Sequence, residues 1–306
     1  MTAGASGFIG QVIGRGQERQ SVRVRVPATS ANLGPGFDCA GLALGLYDEV
    51  EVRRTAGGLT VEVSGEGAAD VPLDERHLVV RALYAAMQQL GHEPAGLHLR
   101  CVNRIPHGRG LGSSAAAIVA GVLAAGALHG GMDDRDVLAL AAEIEGHPDN
   151  VAPCLAGSFT LAWLDGGRAR AVRLSPVPQL RAVAFVPDVT SSTEQARRLL
   201  PAQVPHVDAV ANAARAALLV EALTRSPELL FTATEDRLHQ PYRAPAMPAT
   251  AELVARLRAA RIAAVVSGSG PTVLSLATSD EPVPDPGPGW RTLPLPIDRD
   301  GATVSA

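Results

Sequence analysis

Lysine is absent from this chain: all 27 basic residues among its 306 are arginine. Reaction schemes that need a catalytic or phosphate-gripping lysine are excluded, and so is the Walker A loop, whose GxxxxGK[ST] pattern requires one. Cysteine is scarce. Cys39, Cys101 and Cys154 are odd in number and widely spaced, which argues against a disulfide framework and a CxxC metal site. No apolar run has the length and purity of a membrane span; the longest, from Ala115 to Leu128, has the length of a buried helix. Positive charge is not in excess. A net charge of −4 gives no general attraction to nucleic acid or to an anionic membrane, so a small-molecule partner is expected. No signal segment is visible at the N-terminus, and a cytoplasmic protein is expected.

What is present suits a globular protein. Apolar residues make up 46% and charged residues 19%, enough for one large or two ordinary domains with a substantial core. The run "GASGFIG" (Gly4 to Gly10) has a glycine spacing found in dinucleotide-binding folds. Only three residues precede it, too few for the strand that must anchor such a turn, so residues 1–20 are expected to be a flexible extension. "VRVRV" (Val22 to Val26) alternates as a half-buried strand, and "PATSANLGPGFDCAG" after it reads as a loop. "YDEVEVRR" and "LTVEVSG" are expected to form a hairpin around Gly57 and Gly58. Helical spacing covers 74–90, 113–129 and 134–145, the last with Asp133 or Asp134 as N-cap. "LHLRCV", "SFTLAWL" and "RAVAFVP" read as strands. Helices are expected around 194–200, 206–224 and 249–260, then strand, glycine turn and strand over 262–277. The tail, with six prolines between Asp280 and Ile297, is expected to be irregular. The outcome is an α+β chain in two lobes, 21–170 and 171–306.

One stretch stands out. "PHGRGLGSSAAA" (Pro106 to Ala117) crowds glycine and serine into a loop just before a helix. Small residues let successive backbone N–H groups point inward, and the free amides and dipole of a helix N-terminus add partial positive charge. That combination binds phosphate, and Ser113 and Ser114 add hydroxyls suited to phosphate oxygens or magnesium. Taken alone, the loop also fits a turn whose small residues only permit close packing.

The stretch closely resembles the second motif of the GHMP kinases, ATP-dependent small-molecule kinases. "PATSANLGPGFD" (Pro27 to Asp38) resembles their first motif and "SGSGPTVLSL" (Ser267 to Leu276) their third, in the family's order. The resemblance implies a two-lobed GHMP kinase fold, with an N-terminal α/β lobe that binds ATP and a C-terminal ferredoxin-like lobe. It also implies that Pro106, His107, Gly108, Arg109, Gly110, Leu111, Gly112, Ser113, Ser114, Ala115 and Ala116 wrap the nucleotide. The "GEH" element of the mevalonate and galactose branches is missing. "TSANLGPGFD" and "GHPDNVAPCLAG" (Gly146 to Gly157) are similar to the branch that phosphorylates homoserine. Transfer of the ATP γ-phosphate to L-homoserine, a step towards threonine, is thereby implied; many members of the family are homodimers.

A zwitterionic alcohol needs an anion, a cation and a polar group in its site. The resemblance offers Asp38 for the ammonium, Asn32 for the reacting hydroxyl, Arg197 and Arg243 for the carboxylate, with Thr193 and His147 nearby. Arg197 is preferred over Arg198, and Asn32 and Arg197 are the implied catalytic pair. Each also has an ordinary reading: a solvated helix arginine, a turn-capping aspartate, a structural histidine. The resemblance implies magnesium on Ser114 and Glu143, with Glu145 facing elsewhere, and adenine is expected near His77 to Arg81. Phosphoryl transfer asks mainly for positioning and charge neutralisation, so no dedicated base is expected. Two other classes stay open: a GHMP kinase acting on a sugar or isoprenoid precursor, and a non-catalytic nucleotide-binding protein on the same fold.

Overall fold

A computed structural model describes residues 18–93, 96–278 and 283–306. Most of the expected extension, including the Gly4 to Gly10 run, lies outside the described residues. In β1 (Ser21–Ala31), Val22, Val24 and Val26 are buried while Arg23 and Arg25 between them are exposed, as the alternation requires. The strand continues past a bulge at Pro27 and Ala28, so the first part of the expected loop belongs to the sheet. β1 pairs antiparallel with β2 (Ala40–Thr55). Next in the chain, β3 (Leu59–Gly65) leads through α1 (Leu78–Gln89) into β4 (Gly96–Asn103).

The expected hairpin across Gly57 and Gly58 is not formed. β4 pairs antiparallel with β2 and parallel with β3, and so lies between them. A parallel neighbour requires a crossover, and α1 supplies it, with Val79, Val80, Leu83 and Met87 buried. α2 (Ser113–Leu128) follows the glycine loop. It is buried at Ala115, Ala116 and throughout from Ile118 to Leu128, as a helix apolar on all sides must be. Close contact with α1 is made at Gly121, where a β-carbon would collide with the Val79 carbonyl oxygen and sit 2.9 Å from Ala82 Cβ. α3 (Asp134–Glu145) is capped by Asp133, whose side chain accepts from Arg135 N, and α4 (Val151–Ala156) leads into β5 (Phe159–Asp165) and β6 (Arg168–Leu174).

The second sheet holds β7 (Arg181–Pro187), β8 (Ala263–Val266), β9 (Val273–Ala277) and β10 (Trp290–Leu295). Its order, β10-β7-β9-β8 with every neighbour antiparallel, is the 4-1-3-2 order of a ferredoxin-like lobe. Between β7 and β8 run α5 (Thr193–Arg198), α6 (His206–Thr224), α7 (Leu230–Ala233), α8 (Gln240–Arg243) and α9 (Pro248–Ala259). The proline-rich tail is more ordered than expected. Pro294 is accommodated because β10 is an edge strand, and β11 (Thr303–Ser305) returns to pair with β1. A division at residue 170 is therefore interrupted twice, by β6 running to Leu174 in the first sheet and by β11 rejoining it. No helix among the described residues is long and apolar enough to cross a membrane.

Helix propensity alone favours Gly121→Ala by up to about 1 kcal/mol, but overpacking against a neighbouring backbone costs roughly 1–3 kcal/mol. Gly121→Ala is expected to lower the urea midpoint; an unchanged or raised midpoint would show that α1 and α2 have slack at their crossing.

Candidate active site

Gly108, Gly110 and Gly112 adopt φ of +62°, +75° and +72°, the left-handed region where glycine is unstrained. Two of them are also pinned by space. A β-carbon on Gly110 would collide with Ser267 O, and one on Gly112 with Thr29 Oγ1. α2 starts directly after Gly112 with no side-chain cap, which leaves its first-turn amides free for a ligand. Gly108, Gly110, Gly112, Ser113 and Ser114 line a polar cavity of about 130 Å³.

Main-chain contacts lock the three sequence motifs into one unit. Thr29 N donates to Leu111 O at 3.0 Å, Gly268 N to Ala31 O at 3.1 Å, and Thr272 N to Arg109 O at 3.3 Å. Ser267 Oγ donates to Gly110 O at 2.6 Å. Asn32 bridges the first and third motifs: its Nδ2 donates to Gly268 O at 2.8 Å, and its Oδ1 accepts from Asp38 N at 2.9 Å. Both Asn32 and Asp38 hold positive φ, +69° and +57°, which the interlock maintains.

The far side of the same cavity carries the charged groups. Asn32, Asp38, His147, Thr193, Arg197 and Arg243 all line it. Arg197 forks onto Asp38, with Nη1–Oδ2 at 2.9 Å and Nη2–Oδ1 at 2.6 Å, so the two charges expected to hold a zwitterion hold each other here. Arg198 is exposed and pairs with Glu194 on the outer surface. Arg243 is 2% exposed, and its pKa is lowered, first by burial and then by Arg197. Thr193 Oγ1 lies 3.0 Å from Ser269 Oγ. His147 Nδ1 lies 2.7 Å from Asp149 Oδ1. Burial works against charge on this ring, but Asp149, aided by Glu145, outweighs it and raises the pKa.

Two expectations are corrected. Glu143 does not reach the loop; it lines a separate cavity with Asp136 and Arg168. Glu145 lies in the polar cavity instead, accepting from Ser114 Oγ at 2.6 Å. The two glutamates stand two residues apart, about 200° around a helix axis, so only one can face the loop. Burial, opposed by the Ser114 hydrogen bond, raises the Glu145 pKa. Arg109, expected to touch nucleotide, is spent on backbone: it donates to Pro187 O at 2.8 Å, His107 O at 3.1 Å and Asp188 O at 2.8 Å. Pro106, Leu111 and Ala115 are buried supports of the loop.

A second, mostly apolar cavity of about 320 Å³ adjoins the first at Gly108, Ser113 and Ser114. Val71, Pro72, Leu78, Val79 and Ala116 line it together with His77, Asn103 and His107. His77 is 5% exposed, its enclosed Nδ1 has no partner, and burial, then His107, depress its pKa. Asp149, Asn150, Ser191, Gly268 and Ser269 also line the polar cavity without having been singled out from the sequence. Asp149 and Asn150 lay in the quoted "GHPDN" run; Ser191 carried no local signal.

Gly112→Ala is expected to weaken phosphate and nucleotide binding at least about tenfold, because the loop must shift from Thr29 and leave a positive-φ alanine. Calorimetric titration with ADP checks this, and an unchanged affinity would detach Gly112 from the binding surface.

Comparison with known proteins fits this geometry. The family model "GHMP kinases N terminal domain" matches residues 77–158, and "GHMP kinases C terminal" matches 209–285. A homoserine kinase of Streptomyces avermitilis is 60% identical over 291 residues, covering 93% of this chain and 95% of its own. One from Streptomyces coelicolor is 59% identical over 291 residues, covering 93% and 94%. The crystal structure of homoserine kinase from Cytophaga hutchinsonii matches with a TM-score of 0.83 at 29% identity, covering 95% of this chain and 99% of that one. With both halves of the family matched in order, on a fold whose three motifs converge on one cavity, the chain belongs to the GHMP kinases.

Proposed function

We propose that the protein phosphorylates L-homoserine with ATP, giving O-phospho-L-homoserine and ADP on the route to threonine. The observation that carries this reading is a cavity of amino-acid size that opens onto a glycine loop and a helix N-terminus and brings the Asp38 carboxylate together with the Arg197 and Arg243 guanidinium groups. Homoserine presents an ammonium, a carboxylate and a primary hydroxyl. Its ammonium would take Asp38 and its carboxylate would take Arg197 and Arg243, exchanging one internal ion pair for two with the substrate. A sugar or isoprenoid alcohol lacks the zwitterion and would leave that exchange uncompensated. The strong similarity to named homoserine kinases supports the same choice.

The residues present also suit a magnesium–nucleotide. Ser114 Oγ and Glu145 form an oxygen pair at the mouth of the loop, and the described residues contain no group of three or more His, Cys, Asp or Glu able to cage a metal alone. Two protein oxygens completed by phosphate and water is the usual manner of holding magnesium. The ion would supply neutralisation of phosphate charge. The second cavity suits the base, with the unpartnered His77 among its few polar groups.

The chain's own part in the transfer is positional. The loop amides and the α2 N-terminus oppose negative charge on the transferring group. Asn32, fixed at both ends of its amide, keeps a remaining N–H and lone pair for the substrate hydroxyl. A loose transition state needs little from a strong base, consistent with a site that has no lysine.

ADP release is expected to rise with L-homoserine and not with mevalonate or galactose; equal release with the latter two would overturn the substrate assignment. Asn32→Ala is expected to lower kcat at least about a hundredfold, and an intact kcat would remove Asn32 from the reaction. Glu145→Gln should raise the magnesium concentration needed for half-maximal rate at least about tenfold, with Glu143→Gln within about twofold of wild type. The reverse ranking would return the metal role to Glu143.

A further inference from the structure

Arg243 is the guanidinium of the cavity that makes no ion pair with a carboxylate among the described residues. Its hydrogen bonds among the described residues go to Ala196 O at 3.4 Å, Gly268 O at 3.3 Å and His239 Nδ1 at 3.2 Å. All are made through Nε and Nη1, so the Nη2 edge remains for a ligand. A cation so deeply buried has few ways to keep one orientation, and among the described residues the one side chain hydrogen-bonded to it is His239.

His239 is 0% exposed and stands one turn before Arg243, at the start of α8. Its tautomer follows from its partners. Arg243 can only donate, so Nδ1 is bare; Gly34 O can only accept, so Nε2 carries the hydrogen and donates at 2.8 Å. Gly34 belongs to the first-motif loop between Asn32 and Asp38. One imidazole therefore ties the loop that holds the ammonium partner to the helix that holds the carboxylate partner.

The neighbours reinforce the link. Phe37 stacks on the His239 ring at 5.1 Å, and the same phenyl lies 5.2 Å from Arg243 Cζ and 5.6 Å from Arg197 Cζ. An aromatic face between two like charges lowers the cost of holding them together. Asp236 fixes the start of α8 by accepting from Leu238 N at 2.9 Å, His239 N at 3.1 Å and Gln240 N at 2.7 Å. Burial lowers the pKa of this imidazole, against the pull of Asp236 and with a further push from Arg243.

We infer that His239 is a positioning residue for the substrate carboxylate: its imidazole aims the free edge of Arg243 into the cavity and couples that aim to the loop bearing Asp38. The inference rests on the homoserine reading. His239 touches neither nucleotide nor reacting hydroxyl, so its loss should appear in amino-acid affinity and leave the chemical step largely alone.

The test compares wild type, His239→Leu and His239→Gln, with homoserine and with 3-aminopropan-1-ol, which is homoserine without its carboxylate. His239→Leu is expected to raise the KM for homoserine at least about tenfold, with kcat and the KM for ATP within about threefold. The advantage of homoserine over the aminoalcohol should shrink by a similar factor, since what is lost is carboxylate recognition. His239→Gln, whose amide can accept from Arg243 and donate to Gly34, should recover most of the affinity. If the leucine variant does not fold, His239→Asn, polar but too short to reach both partners, takes its place. An unchanged homoserine KM in a folded leucine or asparagine variant overturns the inference, as does a homoserine advantage that stays intact. Glutamine behaving no better than leucine overturns it too. A wild-type enzyme indifferent to homoserine would overturn the substrate reading and this inference together.

Discussion

The structure depends on a glycine loop approached more closely than any side chain on it would permit. At Gly110 the loop lies against the backbone of the turn at Ser267 to Gly270, and at Gly112 it lies against the Thr29 side chain. These contacts hold the three motifs, the first and third more than two hundred residues apart in the chain, at one point. They also free the loop amides, since a backbone braced from behind by other strands can leave its N–H groups facing a cavity. The buried α2 helix does the same from below, because a helix apolar on every side has no freedom to rotate or withdraw.

Around that fixed point the charged side chains are unequally paired. Asp38 and Arg197 satisfy each other, whereas Arg243 is buried among carbonyls and an imidazole and is paired with no carboxylate among the described residues. Burying a cation without a counter-ion is costly, and proteins accept that cost where a ligand completes the pair. The absence of lysine becomes intelligible at this site. A planar guanidinium holds its orientation when gripped on one edge and still offers the other, which a rotating ammonium does not.

Much of the fold was legible locally. Alternation in "VRVRV", the apolar run after Ser114 and the Asp133 cap each reflect short-range physics, and the elements formed as those patterns require. Strand partnership was not. "YDEVEVRR" and "LTVEVSG" satisfy the pattern of a hairpin, but burying α1 places β4 between them. The site shows the same split. The loop glycines announced themselves by composition. The choice between Glu143 and Glu145 depended on the rotation of α3, and only the folded chain shows the Arg109 side chain taken up by three carbonyls.

The sequence by itself determined the elements, the glycine loop and the set of residue types available to it, because those follow from backbone conformational limits and hydrophobic period over a few residues. Only the tertiary structure decided which strands are neighbours, which glutamate faces the serine, and that Asp38 closes on Arg197 while His239 holds Arg243. Those outcomes turn on distances between segments remote in sequence, set by the packing of whole helices and sheets, and no local pattern encodes them.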